Sequence, residues 1–141
     1  MAALAHKTVV FDLESTWDSI SRVAEMLSSV LDEMGLSQDN AFDVKLATQE
    51  AVVNAVEHGN GCDPRKKVHI RCERNGNAIV MVVSDEGEGF DPSRIPDPTL
   101  SENILKEHGR GIFLMRSLCD CVRYNDKGNE VTMIKNLRKN K

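Results

Sequence analysis

Glu50, Asn54 and His58 fall at i, i+4 and i+8 within the otherwise apolar run Gln49-Glu50-Ala51-Val52-Val53-Asn54-Ala55-Val56-Glu57-His58-Gly59-Asn60. In a helix that spacing stacks three polar groups on one stripe whose flanks favour burial. Such a stripe is costly unless something polar docks against it. A carboxylate and an amide oxygen one turn apart have the chemistry to orient a nucleophile and to hold Mg²⁺.

A second group of residues follows an apolar strand pattern: Asp85-Glu86-Gly87-Glu88-Gly89-Phe90-Asp91. An aspartate at a strand end, followed by Gly87 and Gly89, puts a carboxylate beside backbone that a flat ligand can approach closely. A carboxylate only accepts hydrogen bonds, so it favours a base edge with an amino donor and disfavours guanine's carbonyl. A tight acidic turn with two glycines is the plainer reading of the same residues. The third group is Glu107-His108-Gly109-Arg110-Gly111-Ile112-Phe113-Leu114-Met115. Gly109 and Gly111 open a helix whose free N–H groups and positive dipole end suit phosphates, and Arg110 can add a bidentate contact. A flexible helix entry with a solvated arginine is the alternative. Between the second and third groups runs a connection of roughly twenty residues with Pro92, Pro96 and Pro98, a length typical of a lid or of a disordered spacer.

The elements that must position these groups follow from periodicity. Residues 7–13 read as a first strand. Ser15 or Thr16 can cap a helix to about Met34, with Ile20, Val23, Ala24, Leu27, Val30, Leu31 and Met34 on one face and Gly35 ending it. Residues 37–40 introduce the helix bearing the polar stripe, and Gly59-Asn60-Gly61 stops it. Residues 68–73 and 78–83 form strands around a turn at Asn75-Gly76-Asn77. Residues 112–119 are helical. A closing hairpin pairs 122–124 with 131–134 around 126–129, and the basic tail from Arg138 is expected to fray. The order β-α-α-β-β-loop-α-β-β segregates helices from hairpins. It predicts an α/β two-layer sandwich with helices over one face of a mixed β-sheet.

The bulk properties fit one soluble domain. The chain has 141 residues, 40% of them apolar and 28% charged, with a net charge of −4 and a pI near 5.6. That balance gives no basic footprint for nucleic acid. The apolar run at 79–83 is far too short for a membrane span, and residues 1–7 lack the pattern of a signal peptide. A cytoplasmic location is expected. Cys62, Cys72, Cys119 and Cys121 lack the spacing of a zinc site and read as reduced, packed thiols.

Taken in order, the striped helix, the strand ending in Asp-x-Gly-x-Gly, the long loop and the Gly-x-Gly helix start resemble the nucleotide-binding boxes of the GHKL (Bergerat) ATP-binding fold. The resemblance runs from about Asp43 to Lys135. EAVVNAVEHGN and HGRGIFLMRSLCD are most similar to the anti-sigma-factor serine-protein kinases. The resemblance implies one kinase domain over residues 1–141, with ATP and Mg²⁺ as cofactors. It implies that Asn54 supplies a carbonyl oxygen to Mg²⁺ and that Glu50 is the general base. It implies further that Asp85 holds the adenine amino group with Gly87 and Gly89 admitting the ring, and that Gly109, Arg110 and Gly111 wrap the phosphates. His58 would help shape the site; a capping or core role is its other reading. Where the family's last hairpin usually carries Gly-Thr, this chain has Gly128-Asn129, so Asn129 would take the adenine contact. Lys106, Glu107 and His108 occupy a region where relatives place a positive charge, and Arg110 is the natural substitute.

The implied activity is Mg-ATP-dependent transfer of phosphate to a serine of an anti-anti-sigma partner of the STAS-domain type. The implied second partner is a sigma factor, and the implied assembly is a homodimer. No nucleic acid and no membrane enter. A nucleotide-binding module that regulates by docking, and a weak ATPase or detached kinase domain, are the alternatives.

Overall fold

The computed structural model describes the backbone of residues 6–88 and 107–137, and the side chains of 7–88 and 111–137. The elements are β1 (His6–Glu14), α1 (Trp17–Glu33), α2 (Gln38–Asn54), a π-helical turn (Ala55–Gly59), β2 (Lys67–Asn75), β3 (Ala78–Ser84), α3 (Glu107–Leu118), β4 (Cys121–Tyr124) and β5 (Glu130–Asn136). The helices form one layer and a five-stranded sheet in the order β1-β2-β3-β5-β4 forms the other.

Local chemistry sets the helix ends. Thr16 caps α1 by accepting from the Ser19 N–H at 3.2 Å, and Ser37 caps α2 by accepting from the Asn40 N–H at 3.2 Å. Gly35 takes φ +79° just past α1, a left-handed conformation that a side chain would resist. On the inner face of α1, Ile20, Val23, Leu27 and Leu31 are buried, as is Met34 just past its end.

The strands alternate as a half-buried sheet must. Val68, Ile70 and Cys72 of β2, Ile79, Met81 and Val83 of β3, and Val131 and Met133 of β5 are buried. Register aligns them in rows across the sheet: Phe11 with Ile70, Val83 and Val131, and Val9 with Cys72, Met81 and Met133. The same parity carries Lys135 inward, where it is only 2% exposed. Its ammonium group sits 3.1 Å from Asp43 Oδ2 on α2 and donates to the Leu118 carbonyl at 3.1 Å. A buried cation on a strand thus ties β5 to α2 and to the end of α3.

The layered α/β sandwich is the expected one, with one difference in the sheet. All four strand pairings among the described residues are antiparallel. β3 and β4, which flank α3 in the chain, do run in the same direction. β5 lies between them and pairs with both, so the shared direction never becomes a parallel pair. α3 also begins earlier than the periodicity predicts, at Glu107, so Gly109 and Gly111 fall within its first turns. Among the described residues no helix is long and apolar enough to cross a membrane.

Candidate functional site

The helix bearing the polar stripe changes pitch at its critical residue. α2 ends at Asn54, and the chain continues for one wider turn, closed by the Asn60 N–H to the Ala55 carbonyl at 2.8 Å. Single π-helical turns of this kind recur at functional sites. Glu50 and Asn54 keep their one-turn spacing on α2. His58 leaves their stripe, because the wider turn rotates each residue less, and its side chain is exposed. The same turn delivers Gly59 and Asn60 to the residues that follow β3.

There the packing is tight. A Cβ on Gly59 would overlap the Asp85 carboxylate, and one on Gly87 would overlap the Gly59 carbonyl. Asp85 is pinned on three sides. Its N–H donates to the Asn129 carbonyl at 2.9 Å, and its Oδ1 accepts from the Gly87 N–H at 2.8 Å. The next amide, Glu86 N–H, donates to Asn60 Oδ1 at 2.8 Å. Burial raises the Asp85 pKa above the usual carboxylate value, while the Gly87 N–H and, more weakly, Lys127 and Lys66 pull it down. A partly desolvated carboxylate of this kind gains from a ligand donor.

Two recesses meet at Asn54. The first is a narrow slot lined by Ala51, Asn54, His58, Gly59, Asp85 and Asn129, with Tyr124 and Val131 among its other walls. The second is a broader basin of about 440 Å³ lined by Trp17, Glu50, Val53, Asn54, Glu57, Gly111 and Leu114. Asn54 is 8% exposed, and its Nδ2 has no hydrogen-bond partner among the described residues. A side-chain amide has two ends that exchange by rotation. The residue lines both recesses. Gly111 approaches from α3: a Cβ there would lie 3.2 Å from Glu50 Oε2 and 3.3 Å from Asn54 Nδ2. Its missing side chain keeps the Glu50–Asn54 edge open.

Among the described residues no cluster of three or more His, Cys, Asp or Glu side chains could hold a metal. One amide oxygen beside a phosphate-sized basin instead suits Mg²⁺, which takes few protein ligands when nucleotide phosphates supply the rest. Asn129 lines the slot, but its Oδ1 already accepts from Asn125 Nδ2 at 2.8 Å. Its firm contribution is the carbonyl that holds Asp85.

Gly89, the connection bearing Pro92, Pro96 and Pro98, and Lys106 lie outside the described residues. Glu107, His108, Gly109 and Arg110 contribute backbone to α3, and the side chains of His108 and Arg110 lie outside the description.

Sequence reasoning missed several wall residues. Tyr124 carries a fully buried hydroxyl beside Asn54; burial pushes its pKa up to about 12, with the Asn54 amide acting in the opposite direction. Its signal was its position, at the end of β4 one turn away from the Asn129 hairpin. Asn60 was read only as a helix stop. Glu57 and Trp17 line the basin and had no sequence signal beyond helical phase.

The chain has relatives among known proteins. A family described as "Histidine kinase-like ATPase domain" matches residues 13–135. A serine-protein kinase RsbW of Staphylococcus epidermidis is 35% identical over 135 residues, covering 90% of this chain and 85% of its own. The protein of the same name from Bacillus subtilis (strain 168) is 36% identical over 118 residues, covering 79% and 74% respectively. Among solved structures, the RsbU and RsbW domains of Rv1364c from Mycobacterium tuberculosis align with a TM-score of 0.66 at 20% identity. That alignment covers 94% of this chain and 32% of the longer one, so it speaks to fold.

Proposed function

The chain belongs to the histidine kinase-like ATPase family and, within it, to the anti-sigma-factor serine kinases, and on that premise we propose that it binds Mg-ATP and phosphorylates a serine of a STAS-type anti-anti-sigma protein. Its other partner in this reading is a sigma factor, the two complexes exclude one another, and the working unit is a cytoplasmic homodimer.

One observation carries the reading. Asn54 stands at the junction of two recesses, with the pinned carboxylate of Asp85 in one and Glu50 in the other. The adenine amino group meets Asp85 in the slot, which the bare backbones of Gly59 and Gly87 make possible. The phosphates then extend past Asn54 towards the first turns of α3, which carry Gly109, Arg110 and Gly111. Mg²⁺, held by the Asn54 amide oxygen together with phosphate oxygens, would neutralise charge on the phosphates.

In the basin Glu50 acts as general base and takes the proton of the serine hydroxyl. The serine oxygen bonds to the terminal phosphorus as the bond to the bridging oxygen breaks, so ADP leaves and phosphoserine forms. Gly111 leaves space beside Glu50 for that hydroxyl.

A second reading, a docking module with negligible transfer, draws on the Asn129 side chain being engaged by Asn125. The two separate on Glu50→Ala. If the first reading holds, the variant binds ATP normally and loses transfer to a purified serine-bearing STAS protein. Equal transfer by variant and parent overturns the role of Glu50, and loss of ATP binding assigns it a structural task. Phosphate release without any partner would make the protein an ATPase.

A further inference from the structure

We propose that Asn60 is a positioning residue that fixes Asp85 in the orientation needed to read adenine, an inference that rests on the nucleotide reading above. Asn60 is 3% exposed, and its side-chain amide uses both ends. Oδ1 accepts from the Glu86 N–H at 2.8 Å, while Nδ2 donates to Ser15 Oγ at 2.7 Å and to the Lys67 carbonyl at 3.0 Å. Ser15 is fully buried, and its hydroxyl donates to the Lys66 carbonyl at 2.7 Å. A single amide therefore joins the end of the Glu50–Asn54 helix, the end of β1, the start of β2 and the turn after β3.

The effect on Asp85 follows from peptide geometry. The Glu86 N–H belongs to the rigid plane that also carries the Asp85 carbonyl, so holding it sets ψ of Asp85. The plane before Asp85 is held by its own N–H on the Asn129 carbonyl. The carboxylate is held by the Gly87 N–H. Both backbone torsions and the side chain are fixed, and Asn60 supplies the element that comes from the helix. The task needs one acceptor and two donors on one short side chain, which among the twenty residues suits asparagine. Because Asn60 also closes the π-helical turn through its backbone, the spacing between Asn54 and Asp85 is set by the same residue.

The test compares Asn60→Ala with Ser15→Ala. Ser15→Ala cuts the arm of the network that points away from Glu86, so it serves as a control for stability alone. Amide hydrogen exchange at Glu86, measured without nucleotide, should accelerate about tenfold in Asn60→Ala, the value of one lost hydrogen bond. The preference for ATP over GTP should fall by a similar factor. Ser15→Ala should lower the melting temperature and move neither readout. If Asn60→Ala lowers the melting temperature while Glu86 protection and nucleotide preference stay as in the parent, Asn60 is structural and the inference is overturned. A parent protein that does not distinguish ATP from GTP overturns the adenine reading, and Glu86 exchange alone then decides the role of Asn60. Should Asn60→Ala not fold, Asn60→Asp keeps the acceptor for Glu86 and loses both donors. Retained Glu86 protection in that variant supports the inference, and lost protection contradicts it.

Discussion

Gly59 and Gly87, from opposite layers of the fold, are packed so closely that a Cβ on Gly87 would overlap the Gly59 carbonyl. Both glycines also press on Asp85, whose carboxylate a Cβ on Gly59 would overlap. Gly87→Ala should therefore force the two backbones apart, destabilising the fold by about 2 kcal/mol or more and abolishing nucleotide binding. Gly59→Ala, whose Cβ meets the Asp85 carboxylate, should do the same. Urea denaturation and nucleotide titration check both. Parental stability in either variant would show that the close approach is not needed.

Lys135 and Asp43 form the charged tie between β5 and α2. Removing the anion leaves a nearly fully buried ammonium group with only the Leu118 carbonyl, whereas replacing the cation by a similar apolar chain leaves little unpaired. Asp43→Ala should cost about 3 kcal/mol, and Lys135→Met should cost clearly less. The comparison is read from denaturation midpoints at constant slope. Equal losses would mean that packing, not charge, holds this junction.

His69 bridges β1 and the Asp85 turn, with Nδ1 2.6 Å from Asp12 Oδ1 and Nε2 3.0 Å from Glu86 Oε2. The hydrogen bond to Asp12 chiefly raises the His69 pKa; burial opposes it and Glu86 adds to it. Glu86 is held below its usual value, first by the Lys67 N–H and then by His69. The raised histidine contributes stability that is complete below the ordinary imidazole value and is lost as pH rises through its folded value. The lowered glutamate contributes stability present above the ordinary carboxylate value and lost as pH falls through its folded value. The melting temperature should accordingly peak between the two and decline on the alkaline side. His69→Gln should flatten the decline that sets in as pH rises above the ordinary imidazole value. Parallel curves for parent and variant would remove the bridge from the account.

Burial pushes the Cys72 thiol up to about 12 and the Cys119 thiol up to about 11, whereas Cys62 is exposed. A thiol reagent at neutral pH should therefore modify Cys62 in the native protein and reach Cys72 and Cys119 only on unfolding. Rapid native labelling of Cys72 would show that the sheet opens far more readily than its packing implies.

Much of this was legible in the chain. Alternation in 68–73, the apolar run at 78–83 and the closing hairpin of 122–124 with 131–134 marked strands, and Gly35, Thr16 and Ser37 marked helix ends, because those signals act through neighbours in sequence. The polar helix residues, the Asp85 turn and Gly111 were legible as chemistry for the same reason. The π-helical turn was not. Ala55 to Gly59 fit an α-helix equally well, and the close approach of Gly59 to Asp85 joins residues far apart in sequence. The antiparallel pairing throughout the sheet depends on β5 lying between β3 and β4, a matter of topology rather than local pattern. Lys135 did leave a trace, as a charged residue at the inward parity of a strand, but its partner Asp43 lies far away in sequence. Asn60 hid behind its flanking glycines, which explain a helix stop by themselves.

The most direct test of the account is calorimetric titration of ATP and GTP, with and without Mg²⁺, into the parent protein and Asn54→Ala. Binding should favour ATP and strengthen with Mg²⁺. In Asn54→Ala the strengthening by Mg²⁺ should disappear while the preference for ATP, which belongs to Asp85, remains. Absence of nucleotide binding under every condition, or an Mg²⁺ effect undiminished in Asn54→Ala, would contradict it.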